Sequence, residues 1–525
     1  MKLAILDLEA QLPNVTSQYL MVRHGVMDVA TAAHAAGHDV KVYVEALNGL
    51  PLDRLADRDV VGAAVTGSNL NRVAALFRGL RARAPHIKLV AGGPHATLSP
   101  TDVLAFADVA VRDEGEAAIV ELLGVFASGG SPEGVRGVSY LEGGRARHTP
   151  RRPFARSAGE LENLDLLDGY RRRPAWLDLL LRRQIRCGYA STSRGCPFPC
   201  TFCYENMIGG TTFRAQPEEV FIENVRRKRD RFGTRHFWLA DSNFTTNPKH
   251  CRAILRRLVA AELGCTFTAL CRVDVARHPD LLDLMAAAGF TTLVLGMEAT
   301  DDGRLDSLDK RQTVADIDRA VAEIQARGMF LIGLFMVGFD GDTAETPHAI
   351  IEYCRRRGVD DLCLYCLSEY PSLPGRTLPR YRICEPNLDY HNGHFVTTFP
   401  RDVRPSALEA AVYDALQGFY APTKALGRLA RGQPRQALVQ AGIAAQIRRM
   451  ARISASRHRP YLESVEAPYY DRAGRLDVDR LRARPVISQP LRDDLLADWR
   501  DAEDGAGVDA LVPMAALVRA PVAAE

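Results

Sequence analysis

Residues 191–206, STSRGCPFPCTFCYEN, decide the architecture of the chain because they place three cysteines in a Cys-x-x-x-Cys-x-x-Cys array. The cysteines are Cys196, Cys200 and Cys203, on a loop that two prolines keep extended. Three thiolates at this spacing suit a cubane iron–sulfur cluster, which normally takes four cysteines. One iron of such a cluster would stay open to a small ligand.

The alternatives for this array are a zinc site and incidental buried thiols. Zinc motifs usually pair two Cys-x-x-Cys or Cys/His halves, and no second half lies near residues 191–206. The array therefore favours an iron–sulfur cluster with Cys196, Cys200 and Cys203 as the metal ligands.

The same stretch resembles the cluster motif of the radical S-adenosylmethionine (SAM) superfamily, with Phe202 as the aromatic residue before the third cysteine. The resemblance implies a [4Fe-4S] cluster whose free iron chelates the amino and carboxylate groups of SAM. An electron from the cluster would then cleave SAM to a 5′-deoxyadenosyl radical. Tyr204, directly after the motif, would lie near the SAM adenine, whereas Glu205 is expected to cap a helix or face solvent.

Length and composition narrow the class of protein. A chain of 525 residues is too long for one ordinary core, and 47% hydrophobic with 25% charged residues is typical of a globular protein. The net charge of +3 gives no overall attraction to nucleic acid. The N-terminus lacks the order of a signal peptide, and the longest apolar run, FLIGLFMVGF, is shorter than the ~20 residues of a membrane span. These features predict a cytoplasmic protein without a transmembrane segment.

The chain has eleven cysteines, which without an export signal indicate reduced thiols. Cys363 and Cys366 form a Cys-x-x-Cys pair inside the apolar run LCLYCL. We expect a core strand there rather than a redox pair, because an apolar setting raises the pKa of a thiol and makes it inert.

Residues 1–142 alternate apolar strands with helices, beginning with the strand KLAILDL. Such alternation predicts a doubly wound, Rossmann-like parallel sheet with its ligand crevice beyond the carboxyl ends of the strands. Three loops lie at those ends, and two of them carry the candidate binding residues. These are Thr66, Ser68, Gly92, Gly93 and His95.

The run VAGGPHATLSP with DVAVRDEGEAAIVELL resembles the cobalamin-binding domain that precedes a subset of radical SAM enzymes. The resemblance implies bound cobalamin. The chain lacks the Asp-x-His-x-x-Gly triplet of methionine-synthase-type proteins, which leaves the axial ligand of cobalt open. His95 is a candidate ligand, and packing or hydrogen bonding within its loop is the simpler role. A domain that serves only as a scaffold without cobalamin is the alternative.

Residues 143–185 are rich in Arg, Gly and Pro and predict a linker, whose arginines form a solvated run or hold an anion. Residues 186–385 then contain six strand–helix units, fewer than the eight of a closed barrel. They resemble the open (β/α)6 partial TIM barrel of the radical SAM core.

Four candidate residues lie at the carboxyl ends of successive strands, where barrel enzymes place their active sites. Asp241 could bond the substrate or SAM, and Arg272 could pair with the SAM carboxylate through its fork of donors. Glu298 is placed to accept from a ribose hydroxyl, and by resemblance the backbone at Gly338 lies beside the adenine. For the polar residues, hydrogen bonding at the barrel rim is the alternative.

Residues 386–525 predict a helical region that resembles the tail closing the substrate side of cobalamin-dependent radical SAM enzymes, with plain helix packing as the alternative. Between Lys424 and Arg459 there are nine basic and no acidic residues. This segment suits peripheral contact with an anionic membrane, although the lack of Trp and Phe on its apolar face favours a solvated or reductase-docking surface. The residues from Asp501 onwards are expected to fray.

The sequence thus favours a cobalamin-dependent radical SAM methyltransferase acting on an unactivated carbon of a small-molecule substrate, such as a specialised metabolite or a lipid-like compound. An electron donor such as flavodoxin or ferredoxin would supply electrons to the cluster. A radical cyclase or rearrangement enzyme of the same architecture is one alternative. A non-catalytic iron–sulfur or cobalamin sensor is the other.

Overall fold

The computed structural model describes residues 1–14, 17, 19–157, 159–170, 177, 185–370 and 377–484. The chain forms two parallel sheets with helices on their faces and a C-terminal set of helices, as the sequence predicts. The expected fraying from Asp501 and most of the second half of the linker lie outside the described residues.

The first sheet has seven strands, and its first five are parallel. The strand of this sheet that comes second in the chain lies at the edge of the sheet, beside the strand that comes first. This strand order is that of doubly wound flavodoxin-like folds. These strands are nearly continuous runs of apolar residues because helices cover both faces. In spatial order the seven strands are Asp39–Val44, Lys2–Asp7, Val60–Ala64, Lys88–Gly92, Val109–Val111, Val138–Glu142 and Arg145–His148.

The segment predicted as a linker contributes to this sheet. Arg145–His148 pairs antiparallel with Val138–Glu142, and Leu167 bridges to Val42 at the opposite edge. The turn between the two strands of this hairpin contains two glycines with positive φ. From composition alone, these glycines predict only a linker. The helices of this half are His24–Ala35, Glu45–Asn48, Leu52–Ala56, Leu70–Arg83, Pro94–Leu98, Pro100–Val103 and Glu116–Ala127.

The second sheet has six parallel strands in sequence order, which confirms the predicted (β/α)6 partial barrel. Its strands are Gly188–Ala190, His236–Leu239, Thr266–Cys271, Phe290–Glu298, Phe330–Val337 and Asp361–Cys366. The last of them contains Cys363 and Cys366 and is a core strand, as predicted. The helices of the barrel are Glu205–Ile208, Glu218–Phe232, Pro248–Ala261, Pro279–Ala287, Asp302–Ser307, Val314–Ala326 and Thr346–Arg357.

The last two barrel strands, Phe330–Val337 and Asp361–Cys366, alternate along most of their length between buried and half-buried side chains. The buried side chains pack under the helices, and the half-buried ones therefore face the inside of the barrel. The inward side chains are largely apolar, among them Trp238, Leu270, Leu334, Met336 and Tyr365.

The C-terminal helices share the core of the barrel, which includes Phe399, Tyr413, Ile447 and Leu462. A single π-helical turn, Ser454–His458, interrupts the long helical run. The helices are Pro405–Phe419, Pro422–Ala430, Pro434–Ile453, Arg459–Glu466 and Val478–Arg482.

A short parallel ladder joins the two halves near the beginning of the chain. Tyr19–Leu20 pairs with Ile185–Arg186, and the Tyr19 ring lies 6.2 Å from the Trp238 ring inside the barrel. The loop before the first helix therefore belongs to both halves. None of the described helices is long and apolar enough to cross a bilayer.

Candidate active site

The cysteine loop is held by backbone contacts with the residues that follow it. Gly195 has φ +80°, and a Cβ there would lie 2.3 Å from the Thr212 carbonyl oxygen. Directly after it, the Cys196 N–H donates to the Gly210 carbonyl at 3.0 Å. Glycine is required at this position because a side chain would collide with backbone.

The three cysteine thiols lie close enough to influence one another. Cys200 is buried, whereas Cys196 and Cys203 are partly exposed. Burial raises the pKa of Cys203 to about 11 and also raises that of Cys196, and the neighbouring sulfurs add to both shifts. Three mutually repelling thiolates need a compensating positive charge, which an iron cluster would supply.

Within the described residues, no three Cys, His, Asp or Glu side chains converge on a single metal position. A one-metal site such as structural zinc requires that convergence. In a cubane cluster, by contrast, each thiolate binds a different iron and the sulfurs stand apart. The assignment of Cys196, Cys200 and Cys203 to a cluster rather than to zinc stays a prediction from their spacing.

Arg272, at the end of the third barrel strand, lies against the cysteine loop. Its guanidinium stacks 4.0 Å from the Phe198 ring centroid, and Nη1 lies 3.7 Å from Cys200 Sγ. Nη2 donates to the Lys310 carbonyl. The predicted partner of Arg272 was the SAM carboxylate, and the structure places its charge beside the thiols that would bind the cluster.

Glu298, at the end of the fourth strand, is buried and has φ +68°. Lys310 Nζ lies 2.6 Å from its Oε1 and 5.6 Å from the Phe202 ring of the cysteine loop. A Cβ on Gly296 would meet both charged groups within 3 Å. Glu298 thus stands next to the loop with an ammonium partner, and its role at the SAM ribose stays a prediction.

Asp241, at the end of the second strand, is fully engaged by the residues before the cysteine loop. It accepts from the Thr192 N–H at 3.0 Å, from the Thr192 hydroxyl at 2.7 Å and from the Ser193 hydroxyl. Burial raises its pKa, and these donors partly oppose that shift. The geometry corresponds to the rim hydrogen-bonding alternative for Asp241.

At the end of the fifth strand, the backbone turns sharply at Gly338, which has φ +103°. The N–H groups of Gly338 and Phe339 donate to Asp342 Oδ2 at 2.8 and 2.9 Å. Asp342 is in turn 3.0 Å from Arg304. These contacts keep the strand end in one conformation, at the place where the adenine was expected.

Tyr204 connects the cysteine loop to the sixth strand and to the first sheet. Its hydroxyl donates to Glu369, and its ring lies 5.0 Å from the Tyr370 ring. The Tyr370 ring in turn lies 5.7 Å from the ring of His95. A row of three rings therefore joins the cysteine loop to the candidate cobalamin loop.

His95 is completely buried, and its Nε2 lies 3.2 Å from Asp102. Among the described residues its Nδ1 has no hydrogen-bond partner. Its backbone N–H donates to the Val65 carbonyl at 3.0 Å. These contacts agree with packing and hydrogen bonding within the loop, the simpler of the two predicted roles.

The other predicted residues of the first sheet gather at its carboxyl edge. The Thr66 and Ser68 hydroxyls are 3.3 Å apart, and the Ser68 carbonyl accepts from the Gln11 N–H at 3.0 Å. Gly93 has φ +96°, and a Cβ on it would lie 3.1 Å from the Val65 carbonyl. Gly92 ends its strand with ordinary spacing around it. This edge is a set of backbone-lined loops that would accept a bulky ligand such as cobalamin.

Residues 385–395 lie across the two halves. Asn387 accepts from Asn71 at 3.1 Å, Leu388 packs in the core of the first sheet, and Asn392 donates to the Pro13 carbonyl at 3.4 Å. On the barrel side, the Tyr413 hydroxyl donates to the His394 carbonyl at 2.8 Å. The segment thus covers the junction of the two carboxyl edges.

Sequence reasoning missed several residues of this junction. Asn69 caps the 66–69 turn and donates to the Ala64 carbonyl at 3.1 Å. Arg194 binds carboxylates of the first half, and Glu369 accepts from Tyr204. The position of Arg194, two residues before Cys196, was a signal that the residue has a role near the cluster. The partners of Lys310 have no signal in the sequence.

Two family models match the chain. That of the Radical SAM superfamily matches residues 190–377, and that of the B12 binding domain matches residues 12–123. The first range contains five strands of the barrel sheet and the last residue of the strand Gly188–Ala190, and the second contains the loops at residues 66–69 and 92–97.

Two curated relatives match large parts of the chain. An uncharacterised methyltransferase of Pyrococcus horikoshii is 27% identical over 372 residues, which cover 69% of this chain and 78% of that protein. An anaerobic magnesium-protoporphyrin IX monomethyl ester cyclase of Cereibacter sphaeroides is 29% identical over 277 residues, covering 50% of this chain and 43% of the cyclase.

Among solved structures, the radical S-adenosylmethionine methyltransferase TsrM from Kitasatospora setae has the same fold. Its TM-score is 0.59 at 18% identity, and the match covers 72% of this chain and 74% of TsrM. A second TsrM structure holds cobalamin and a [4Fe-4S] cluster.

Proposed function

We propose that the chain, which the Radical SAM superfamily model matches at residues 190–377 and the B12 binding domain model at residues 12–123, methylates an unactivated carbon of a small-molecule substrate with the help of cobalamin. The observation that carries this proposal is the contact between the two carboxyl edges. The cysteine loop and the cobalamin loop meet through the rings of Tyr204, Tyr370 and His95. Such a junction can hold two cofactors on either side of one substrate.

When bound, the [4Fe-4S] cluster and one SAM would supply a radical that abstracts hydrogen, and cobalamin, remethylated by a second SAM, would supply the methyl group. The chain's own residues hold and orient these groups. Cys196, Cys200 and Cys203 would hold the cluster, and the Arg272 guanidinium would balance its negative charge. The Glu298 carboxylate would accept from the SAM ribose.

The loops at Thr66, Ser68, Gly92 and Gly93 would support the corrin ring through backbone and hydroxyl groups, with His95 fixing the loop. Residues 385–395 would exclude water from the junction. Water exclusion matters because a substrate radical reacts with whatever lies beside it.

The inner face of the barrel supports an apolar or aromatic substrate. Trp238, Leu270, Leu334, Met336 and Tyr365 all present half-buried side chains to that space. A specialised metabolite or a lipid-like molecule has surface of this character. An electron donor of the flavodoxin or ferredoxin class and a cytoplasmic location complete the proposal.

The decisive experiment uses SAM with a trideuterated methyl group, anaerobically reconstituted protein with cobalamin, and a one-electron reductant in place of the flavodoxin or ferredoxin. Incubation with an extract of small molecules should yield 5′-deoxyadenosine and a product that carries the deuterated methyl. The matched control, Cys200→Ala, should lose the visible absorbance of the cluster and both products. Wild-type protein that binds the cluster but forms no 5′-deoxyadenosine would contradict catalysis and favour the sensor alternative.

A radical cyclase is the second candidate, because the cyclase of Cereibacter sphaeroides is 29% identical over its matched part. Ring closure leaves the carbon count of the substrate unchanged. A product that forms with 5′-deoxyadenosine but without the deuterated methyl would therefore replace the methylation proposal with cyclisation.

A further inference from the structure

In the helical hairpin formed by Pro422–Ala430 and Pro434–Ile453, the first helix has its apolar side outward, whereas the second packs Ile443, Ile447 and Met450 in the core. Lys424 and Arg428 face the barrel, where Arg428 lies 2.7 Å from Asp360 and Lys424 Nζ lies 3.1 Å from the Phe419 ring centroid. Leu426 and Leu429 consequently point away from the protein. An amphipathic helix on a globular core normally has the opposite orientation.

The outward leucines form part of a groove. Leu426, Leu429 and Leu438 are 62%, 52% and 53% exposed, the highest values among the large apolar side chains of the described residues. They line a cavity of about 560 Å³ between the two helices, with Arg448 at one end. Clustered exposed leucines of this kind mark a surface that binds something.

A second groove adjoins the first at Arg448. Its volume is about 860 Å³, and Arg448, Arg452 and Arg459 line it. Arg448 and Arg452 are exposed and Arg459 is half-buried, and within the described part of the chain none of the three forms an ion pair. The pair of grooves therefore presents an apolar half and a positive half.

This face is separate from the candidate active site. Phe330 and Asp361, which the hairpin contacts through Arg428 and Lys424, begin the fifth and sixth barrel strands. The hairpin thus covers the amino ends of the strands, and the cysteine loop lies at their carboxyl ends. The occupant of the grooves is therefore not the substrate of the proposed reaction.

The last part of the chain has the complementary chemistry. The sequence LRDDLLADWRDAED begins at Leu491, and its leucines and Trp499 recur at the spacing of one helix face. Its acidic residues are Asp493, Asp494, Asp498, Asp501, Glu503 and Asp504. Two arginines are its only basic residues.

We propose that residues 491–504 bind this hairpin in the same molecule, with Leu495, Leu496 and Trp499 in the apolar groove and the aspartates over the arginine groove. The described chain ends at Arg484, and the six residues between it and Leu491 span at most about 20 Å when extended. A short tether keeps it at an effective concentration on the order of 1 mM.

An anionic membrane would also meet positive charge and leucines here. An interfacial helix normally anchors through Trp or Phe, and the outward leucines of this hairpin have neither beside them. The aromatic residue that such a groove lacks is supplied by Trp499 of the tail. Complementary charge within one chain favours the tail as occupant.

Hydrogen–deuterium exchange of the full-length protein tests the proposal. Leu495→Ser with Leu496→Ser should release the tail and speed exchange in residues 422–448. For docking with a dissociation constant of about 0.1 mM at an effective 1 mM, the expected increase is about tenfold. The matched control, Leu511→Ser with Leu517→Ser, alters the same tail beyond the acidic segment and should leave exchange unchanged.

The reciprocal change is Leu426→Ser with Leu438→Ser, which should speed exchange of residues 491–499 without loss of the cluster absorbance. Unchanged exchange in both segments would overturn the proposal. So would cosedimentation of wild-type protein with phosphatidylglycerol vesicles that depends on Leu426, or a protection of residues 422–448 that rises with protein concentration. Those outcomes would assign the groove to a membrane or to a second copy of the chain.

Discussion

At the scale of the residue, Gly195 shows how one backbone position governs the cysteine loop. It combines φ +80° with a carbonyl oxygen 2.3 Å from where a Cβ would stand. Gly195→Ala should therefore displace Cys196 and lower the iron content of reconstituted protein several-fold.

The matched control for this prediction is Gly124→Ala, in the helix Glu116–Ala127, where no atom lies within 4 Å of an added Cβ. Alanine is favoured over glycine in a helix by about 0.5–1 kcal/mol, so this variant should keep its iron and unfold at slightly higher temperature. Iron analysis and thermal unfolding check both variants. Full iron binding by Gly195→Ala would show that the loop can relax around the added methyl.

Spacing in the sequence predicts some of the site residues and not others. Cys196, Cys200 and Cys203 are adjacent in sequence, and their spacing alone predicts their common role. Lys310 is twelve residues from Glu298 and pairs with it only because the strand end and the following loop fold back together. No local pattern encodes such a contact, so the sequence predicts the position of Glu298 at a strand end but not its partner.

At the scale of the element, a buried histidine holds the C-terminal helices to the segment that covers the junction. His458, on the π-helical turn, lies 2.7 Å from Glu409 and 3.2 Å from Glu385, with the Tyr390 ring stacked at 4.3 Å. Burial alone would lower the pKa of His458, but the two carboxylates outweigh it and raise the pKa to about 9.

The raised pKa predicts a dependence of stability on pH. Because the folded protein holds this proton more tightly than the unfolded chain does, the contribution of His458 is complete below pH about 6.5. It is lost as the pH rises towards about 9, and the loss amounts to about 3 kcal/mol of the free energy of unfolding. Urea unfolding of wild type and His458→Gln should therefore differ most at pH 6 and least above pH 9.

A suitable control is His348→Gln, since His348 is 47% exposed and lies 3.7 Å from Asp414. The difference in unfolding free energy between this control and wild type should stay small at every pH. A constant difference for His458→Gln across the same range would mean that the histidine is not charged in the folded protein.

Element boundaries were predicted where apolar periodicity is strong, as in the six barrel strands. They were missed where polar residues form a strand. Arg145–His148 has one half-buried residue among exposed ones and reads as linker, yet it pairs with Val138–Glu142 at the edge of the sheet. Backbone hydrogen bonds to the neighbouring strand, rather than burial of side chains, stabilise this strand. The composition of the segment therefore does not predict it.

At the scale of the whole molecule, Arg194 joins the two halves. It stands just before the cysteine loop and binds three carboxylates of the first half, Asp28, Glu114 at 3.1 Å and Glu116 at 2.7 Å. Burial raises the pKa of Asp28 to about 6, against the opposing effect of His24 and Arg194. Removing the guanidinium would leave these carboxylates without their main shared partner.

Arg194→Met should accordingly loosen the junction at a cost of about 3 kcal/mol or more, as for other broken buried pairs. Limited proteolysis and hydrogen exchange should show faster opening of the helix His24–Ala35 and of residues 112–116. The control is Arg147→Gln, which removes an exposed pair with Glu142 and should change neither measurement. Equal protection in Arg194→Met would mean that packing alone holds the halves together.

The ladder between Tyr19–Leu20 and Ile185–Arg186 bears on how such proteins can be recombined. The loop that carries Tyr19 belongs to the first half in sequence but packs beside Trp238 in the barrel. A chimera joined inside the predicted linker would therefore combine the Tyr19 loop of one protein with the barrel of another. Productive exchange of modules must therefore carry residues 9–20 along with the recipient barrel. Evolution of new specificities in this architecture should show the same linkage, with the opening loop and the barrel interior changing together.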